Sequence, residues 1–129
     1  MFHPDRPELI AVLDWELCTI GHPIADIAYN SFLWHSDGEG WGTLKGVDFA
    51  TSGIPNEEAY VSTYCRRTGR GYPIEGWNFY QSFSVFRLAS IGQGVYRRIL
   101  AGNASTDRPA INGTQHLAQQ ALTLLRRSD

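Results

Sequence analysis

The chain has 129 residues, of which 43% are hydrophobic and 19% charged, so its composition is that of one globular domain or part of one. Its 11 basic and 13 acidic side chains leave a formal net charge of −2. This balance excludes the strongly basic surface typical of proteins that bind nucleic acid or anionic membranes. No apolar run approaches the roughly 18 residues needed to cross a bilayer. Neither a signal peptide nor a disulfide framework is recognisable, which favours a cytoplasmic protein.

The first residues predict a short β-hairpin. Residues 9–13 form a continuous apolar run, which is typical of a strand buried on both faces. Residues 4–7 contain two prolines and predict a turn. This leaves residues 1–3 to pair back as the first arm of the hairpin.

The rest of the chain predicts about four helices. Their apolar residues recur at helical spacing in four segments: residues 24–35, 55–68, 77–100 and 111–127. Residues 36–55 are rich in glycine and predict a long loop, which is usually functional or mobile in a compact domain. Gly92 and Gly94 lie inside the longest predicted helix, where we expect a packing reason for them.

Four charged positions are candidates for chemistry. Asp14 ends the predicted strand and Glu16 follows it, an arrangement that suits a hard cation such as Mg²⁺. The alternative is that Asp14 caps a turn. Asp26 lies near the apolar face of the first helix and indicates an organising role. Arg87 lies among aromatic residues and is a candidate to meet an anionic substrate group, although a solvated position is the simpler interpretation.

Other catalytic patterns are missing from the sequence. Residues 38–46 hold four glycines, but they follow no predicted strand and lack the spacing of a phosphate-binding loop. The four histidines have no zinc-binding spacing, and no GxSxG nucleophile motif occurs.

Two short motifs at a fixed separation carry a family resemblance. Residues 11–16 read AVLDWE and residues 21–29 read GHPIADIAY. Together they resemble the aminoglycoside phosphotransferase-like kinase family, in which a strand ends in D-W/F-E and G-D-P-x-x-D-L-A follows. Residues 64–66, 77–80 and 91–96 resemble the branch that occurs alone in bacteria or fused to acyl-CoA dehydrogenases in animals.

This resemblance implies part of the C-terminal lobe of a protein-kinase-like fold, mainly α with a short β-hairpin. Residues 1–16 would be the hairpin and metal-binding motif, and residues 22–129 the helical subdomain. The implied activity is ATP-dependent phosphoryl transfer to a small-molecule hydroxyl, with a hydroxyacyl-CoA or hydroxy acid as the acceptor. Asp14 matches the family's aspartate that holds Mg²⁺ on the ATP phosphates, with Glu16 beside it. Asp26 matches the helix aspartate that supports the catalytic loop.

The family's catalytic loop, H-G-D-x-x-x-x-N, occurs nowhere in the sequence. Since its Asp orients the acceptor hydroxyl, we expect a piece of a phosphotransferase that is inactive by itself. Two alternatives remain open. One is a non-catalytic helical module that binds a partner or ligand in a groove lined by Trp77, Tyr80 and Arg87, and the other is one chain of a split kinase. An unpaired strand edge at residues 9–13 would also favour self-association.

Overall fold

The computed structural model describes residues 1–15, 18, 20–38, 42–103 and 112–127, and within them the protein is mainly helical. Five helices follow one another along the chain: α1 (Pro23–Asn30), α2 (Phe32–His35), α3 (Glu57–Thr68), α4 (Trp77–Leu100) and α5 (Thr114–Leu125). None of the described helices has the length and apolar content that a bilayer crossing requires. The prediction of a mainly α chain is therefore confirmed.

The segment predicted as one helix over residues 24–35 is two helices, which is why there are five helices in place of about four. Ser31 separates α1 from α2 and is fully buried. Its hydroxyl donates a hydrogen bond to the backbone oxygen of Ala28 at 2.9 Å. Such a bond competes with the helical ladder, while Phe32 stays on the buried side.

Helix α3 begins and ends where the sequence predicts. The side chain of Asn56 accepts a hydrogen bond from the backbone N–H of Ala59 at 2.8 Å, which caps the first turn. Glu57 and Glu58 place negative charge at the positive end of the helix dipole. Gly69 then stops the helix with a left-handed backbone at φ 69°.

The core lies between α4 and the helices packed on it. Asn78 near the start of α4 donates to the backbone oxygen of Arg127 at 3.2 Å, so α5 runs antiparallel to α4. Helix α1 packs against another side of α4. The buried core cluster is drawn from α2, α4 and α5: Phe32, Val85, Leu88, Ala89, Leu117, Ala121 and Leu124.

The predicted hairpin at the N-terminus is wrong. Residues 1–3 do turn back on residues 8–11, with backbone hydrogen bonds from His3 N–H to Glu8 at 2.9 Å and from Ile10 N–H to Met1 at 3.1 Å. Within the described part of this segment, however, the β-structure is limited to one isolated bridge between Phe2 and Leu9. Leu9 is 58% exposed and Leu13 60%, so the apolar run is not buried on either face. The physical reason is that a three-residue arm is too short for a ladder, and two short strands without a covering layer do not form a stable sheet.

Candidate functional site

The candidate site is the surface where α1 packs on α4. His22, which precedes α1, stacks on Tyr80 of α4 with ring centroids 5.4 Å apart and planes at 17°. Seven residues beyond Tyr80, the guanidinium carbon of Arg87 lies 5.0 Å from the ring centroid of Tyr29 on α1. Positions seven apart share a helix face, which is why one side of α4 makes both contacts.

Arg87 is exposed and carries its charge over the face of Tyr29. Among the residues that the structure describes, no carboxylate lies within 4.0 Å of its guanidinium. A guanidinium stacked on a ring can still donate N–H bonds in its own plane, and these suit a carboxylate or phosphate. Its role toward an anionic substrate remains a prediction.

Asp26 lies in the first turn of α1, where the helix dipole stabilises a negative charge. The expectation that it points toward the apolar face is not met, because the residue is exposed. The apolar side of α1 is instead formed by Ile24, Ile27 and Ala28. Its role in supporting a catalytic loop stays a prediction.

Asp14 is exposed and has a backbone φ of 69°. Next to it, the indole N–H of Trp15 donates to the backbone oxygen of Val12 at 2.7 Å. Its neighbour in the motif, Glu16, lies outside the described residues. The described part of the chain contains no group of three or more His, Cys, Asp or Glu that could hold a metal. An Mg²⁺ ion held by Asp14 would therefore take other ligands from phosphate oxygens and water, which is how Mg²⁺ usually binds.

Trp77, which lies three residues before Tyr80 on α4, lines a pocket of about 190 Å³ together with Val61, Tyr72 and residues around them. Partial burial raises the pKa of the Tyr72 phenol, and the nearby charges of Glu58 and Glu57 raise it further. That Trp77, Tyr80 and Arg87 line one groove stays a prediction.

A polar cluster around His35 was not predicted. It joins α2, α3, α4 and α5 with the residues that follow α5, and we call it the His35 cluster: His35, Glu57, Gln81, Gln120 and Arg127. The Nε2 atom of His35 lies 2.9 Å from the Glu57 carboxylate, and Gln81 Nε2 lies 2.5 Å from the same group. Gln120 donates to the backbone oxygen of His35 at 2.7 Å.

The contacts around His35 do not specify one tautomer. Arg127 Nη1 lies 3.3 Å from Nδ1 and the Gln81 amide nitrogen lies 2.7 Å from Nε2, and both of these groups only donate. The Glu57 carboxylate, which only accepts, lies 2.9 Å from the same Nε2 atom. A signal was present in the sequence, because Gln81 occupies the apolar position four residues before Val85 and seven before Leu88.

The chain is similar over almost its whole length to parts of much longer proteins. It is 43% identical over 126 residues to acyl-CoA dehydrogenase family member 10 of Mus musculus, covering 94% of this chain and 12% of the relative. It is 41% identical over 130 residues to acyl-CoA dehydrogenase family member 11 of Homo sapiens, and the match covers 99% of this chain and 17% of the relative. A third relative is the probable acyl-CoA dehydrogenase IBR3 of Arabidopsis thaliana, at 35% identity over 136 residues, 100% of this chain and 16% of the relative.

No protein-family model and no solved structure matches the chain. The expected relationship to proteins called acyl-CoA dehydrogenases is nevertheless confirmed. The chain spans only 12–17% of the relatives named above, so it corresponds to one segment of such a protein. The chain is therefore a homologue of part of acyl-CoA dehydrogenase family members 10 and 11.

Proposed function

We propose that this chain is the C-terminal part of an ATP-dependent phosphotransferase that phosphorylates the hydroxyl of a small molecule. Its fold would be a partial kinase-like lobe. The proposal rests on the motif residues 11–16 and 21–29, and the observation that carries it is the backbone of Asp14. Among the described residues, Asp14 is the only residue other than glycine with positive φ.

A left-handed backbone disfavours an L-residue by roughly 1–2 kcal/mol, and such conformations cluster at functional sites. Asp is one of the few side chains that tolerate it. Since the Asp14 side chain is exposed, it is available as a ligand. Asp14, with Glu16 beside it, would hold Mg²⁺ with the ATP phosphates. The ion would neutralise charge that develops during phosphoryl transfer.

The acceptor is a hydroxyacyl-CoA or a related hydroxy acid. Two relatives carry the words acyl-CoA dehydrogenase family member in their names, which supports an acyl-CoA substrate class. Arg87 and Tyr80 support it from the structure, because a cation and an aromatic ring on one face suit a phosphate or carboxylate attached to an organic group.

The isolated chain should not turn over ATP. No HGD triplet occurs in its sequence, so the Asp that orients the acceptor hydroxyl in this class of enzyme is missing. Asp14 and Arg87 therefore contribute to a site that other residues must complete.

A segment exchange tests the proposal. We would replace the homologous segment of the mouse family member 10 by this chain and measure ATP-dependent phosphorylation of a hydroxyacyl-CoA. We expect activity in the exchanged protein, and a loss of about 100-fold or more with Asp14→Ala, since charge stabilisation at the phosphates is lost. Asp5→Ala, an exposed acid on the same segment, is the matched control and should retain activity.

Two results would contradict the proposal. One is the absence of ATP-dependent phosphorylation in both the mouse protein and the exchanged protein. The other is an exchanged protein whose activity is the same with and without the Asp14→Ala substitution. Turnover by the isolated chain above that of its Asp14→Ala variant would show that the expected inactivity is wrong.

A further inference from the structure

An apolar groove runs between α4 and α5, and the phosphotransfer proposal does not use it. Its volume is about 370 Å³. Its walls are apolar side chains of the two helices: Phe79, Phe83, Phe86, Ala118, Leu122 and Leu125. Phe79 and Phe86 are 57% and 58% exposed, a large apolar surface for about two turns of a helix.

The two walls have the same spacing. On α4 the three phenylalanines stand at positions i, i+4 and i+7, and on α5 Ala118, Leu122 and Leu125 do the same. The helices are antiparallel, as the contact between Asn78 and Arg127 shows. The two rows of apolar side chains therefore run side by side with the same helical period. The apolar ridge of a third helix packs into a groove of this shape.

The charges along the groove indicate the chemistry of that helix. Neither α4 nor α5 contains an acidic residue. Arg97 follows Phe79 by 18 residues, which is about five helical turns and puts it on the same face of α4. Arg126 directly follows Leu125 at the other end. Both arginines are exposed, and no carboxylate among the described residues lies within 4.0 Å of either.

These charges disfavour a second copy of the chain as the occupant. A copy of α4 and α5 would bring only neutral and positive side chains against Arg97 and Arg126, and like charges that face each other across an interface lower affinity. An occupant with acidic residues at the ends of an apolar stripe would pair with both arginines.

We propose that the α4–α5 groove binds an amphipathic helix of a partner segment, with apolar residues at i, i+4 and i+7 and acidic residues flanking them. Arg97 lies about 16 Å along the helix from Phe86, so one acidic residue belongs about three turns beyond the apolar stripe. The apolar stripe supplies contact area, and the acidic flanks fix the direction in which the helix lies.

Two synthetic helical peptides test the proposal. Both carry leucines at i, i+4 and i+7; one has glutamates at the flanking positions and the other lysines. Binding to the chain is measured by fluorescence anisotropy of the labelled peptides. We expect the glutamate peptide to bind about tenfold more tightly than the lysine peptide at low salt, and the difference to shrink in high salt because exposed charges are screened.

Variants of the chain locate the binding. Phe83→Ser and Leu122→Ser should weaken binding of the glutamate peptide about tenfold or more. Val95→Ser is the matched control, since Val95 is an exposed apolar residue on a different face of α4, and its affinity should match that of the unchanged chain. Circular dichroism of each variant shows that it is folded.

The proposal is overturned if neither peptide binds, if the two bind equally, or if Val95→Ser weakens binding as much as Phe83→Ser. Sedimentation of the chain alone supplies a further outcome. A stable dimer that Phe83→Ser dissociates would show that a second copy occupies the groove, contrary to the proposal.

Discussion

At the scale of single residues, two glycines of the helical region have opposite roles. Gly69 ends α3 with φ 69°, and its N–H bonds to the backbone oxygen of Cys65. Gly94 lies inside α4, where an added Cβ would meet only the Nη1 atom of Arg98 at 3.7 Å, an ordinary contact. The packing reason that the sequence led us to expect at Gly94 is therefore not found.

The backbone conformations of Gly69 and Gly94 predict that substitution by alanine changes the stability of the protein in opposite directions. Gly94→Ala should raise the free energy of unfolding by up to about 1 kcal/mol, because alanine has the higher helix propensity and space is available. Gly69→Ala should lower it by roughly 1 kcal/mol, because alanine is strained in the left-handed region. Urea denaturation measures both. Destabilisation by Gly94→Ala would mean that the helix is tighter there than the structure shows.

The hydrogen bonds of Asp48, in the loop between α2 and α3, predict that the stability of this loop depends on pH. Its carboxylate accepts a bond from the Thr51 hydroxyl at 2.7 Å and another from the backbone N–H of Ala50 at 3.0 Å. These bonds lower the pKa of Asp48 from its usual 3.8. Because the folded pKa is the lower one, the stabilisation is present above the unfolded pKa and is lost as pH falls through the folded pKa.

The Thr51 hydroxyl is the larger cause, so Thr51→Val should raise the pKa of Asp48 toward its usual value. Carboxyl-detected NMR titration of Asp48 measures this shift. Thr63→Val on α3 is a control that should leave the titration unchanged. An Asp48 pKa that does not respond to Thr51→Val would show that the bond does not persist in solution.

At the scale of helices, the longest and the best-capped elements followed the sequence pattern closely. Helix α4 covers Trp77–Leu100, as the spacing predicts, and α3 ends at Thr68 before Gly69. Local signals suffice there, since a long apolar stripe and caps specify a helix without reference to distant residues. The break at Ser31 depends on burial, which the local pattern did not reveal.

The His35 cluster connects α2, α3 and α4, so we expect the loss of one of its hydrogen bonds to lower the stability of the protein. Gln81 is 3% exposed and donates to Glu57. Gln81→Leu should lower the free energy of unfolding by about 1–3 kcal/mol, because a partly buried carboxylate loses a donor. Thermal and urea unfolding measure this loss.

Gln119→Leu on α5 is the matched control for Gln81→Leu. Gln119 is exposed, so this substitution should change the free energy by no more than about 0.5 kcal/mol. If both variants unfold like the original chain, the cluster contributes no net stability, and its bonds only replace bonds to water.

At the scale of the whole molecule, the surface is large for the mass. The accessible surface is 9529 Å² for 14.5 kDa. A compact monomer of this mass exposes about 6,900 Å². Exposed apolar side chains in residues 1–13 and along the α4–α5 groove contribute to the excess, including Leu13 at 60% and Phe79 at 57%.

This excess of exposed surface predicts that the free energy of unfolding falls less steeply with urea concentration than in a compact protein. The unfolded chain exposes about 21,000 Å². Folding therefore buries about four-fifths of the surface area that a compact protein of this mass would bury. Because the urea m-value is proportional to the buried area, we expect it to be about a fifth below that of compact proteins of equal length. Removing residues 1–13, which are mostly exposed, should leave the m-value nearly unchanged. An m-value typical of compact proteins would show that the chain buries more surface in solution.

The sequence by itself determined the helical class, the limits of α3 and α4, and the relationship to acyl-CoA dehydrogenase family members, since local spacing, caps and short motifs carry this information. It also pointed to Asp14, whose positive φ became visible only in the structure. Tertiary structure decided that residues 9–13 are largely exposed and that Gln81 completes a polar cluster. These outcomes depend on which distant surfaces meet, and a single chain's local pattern does not specify those contacts.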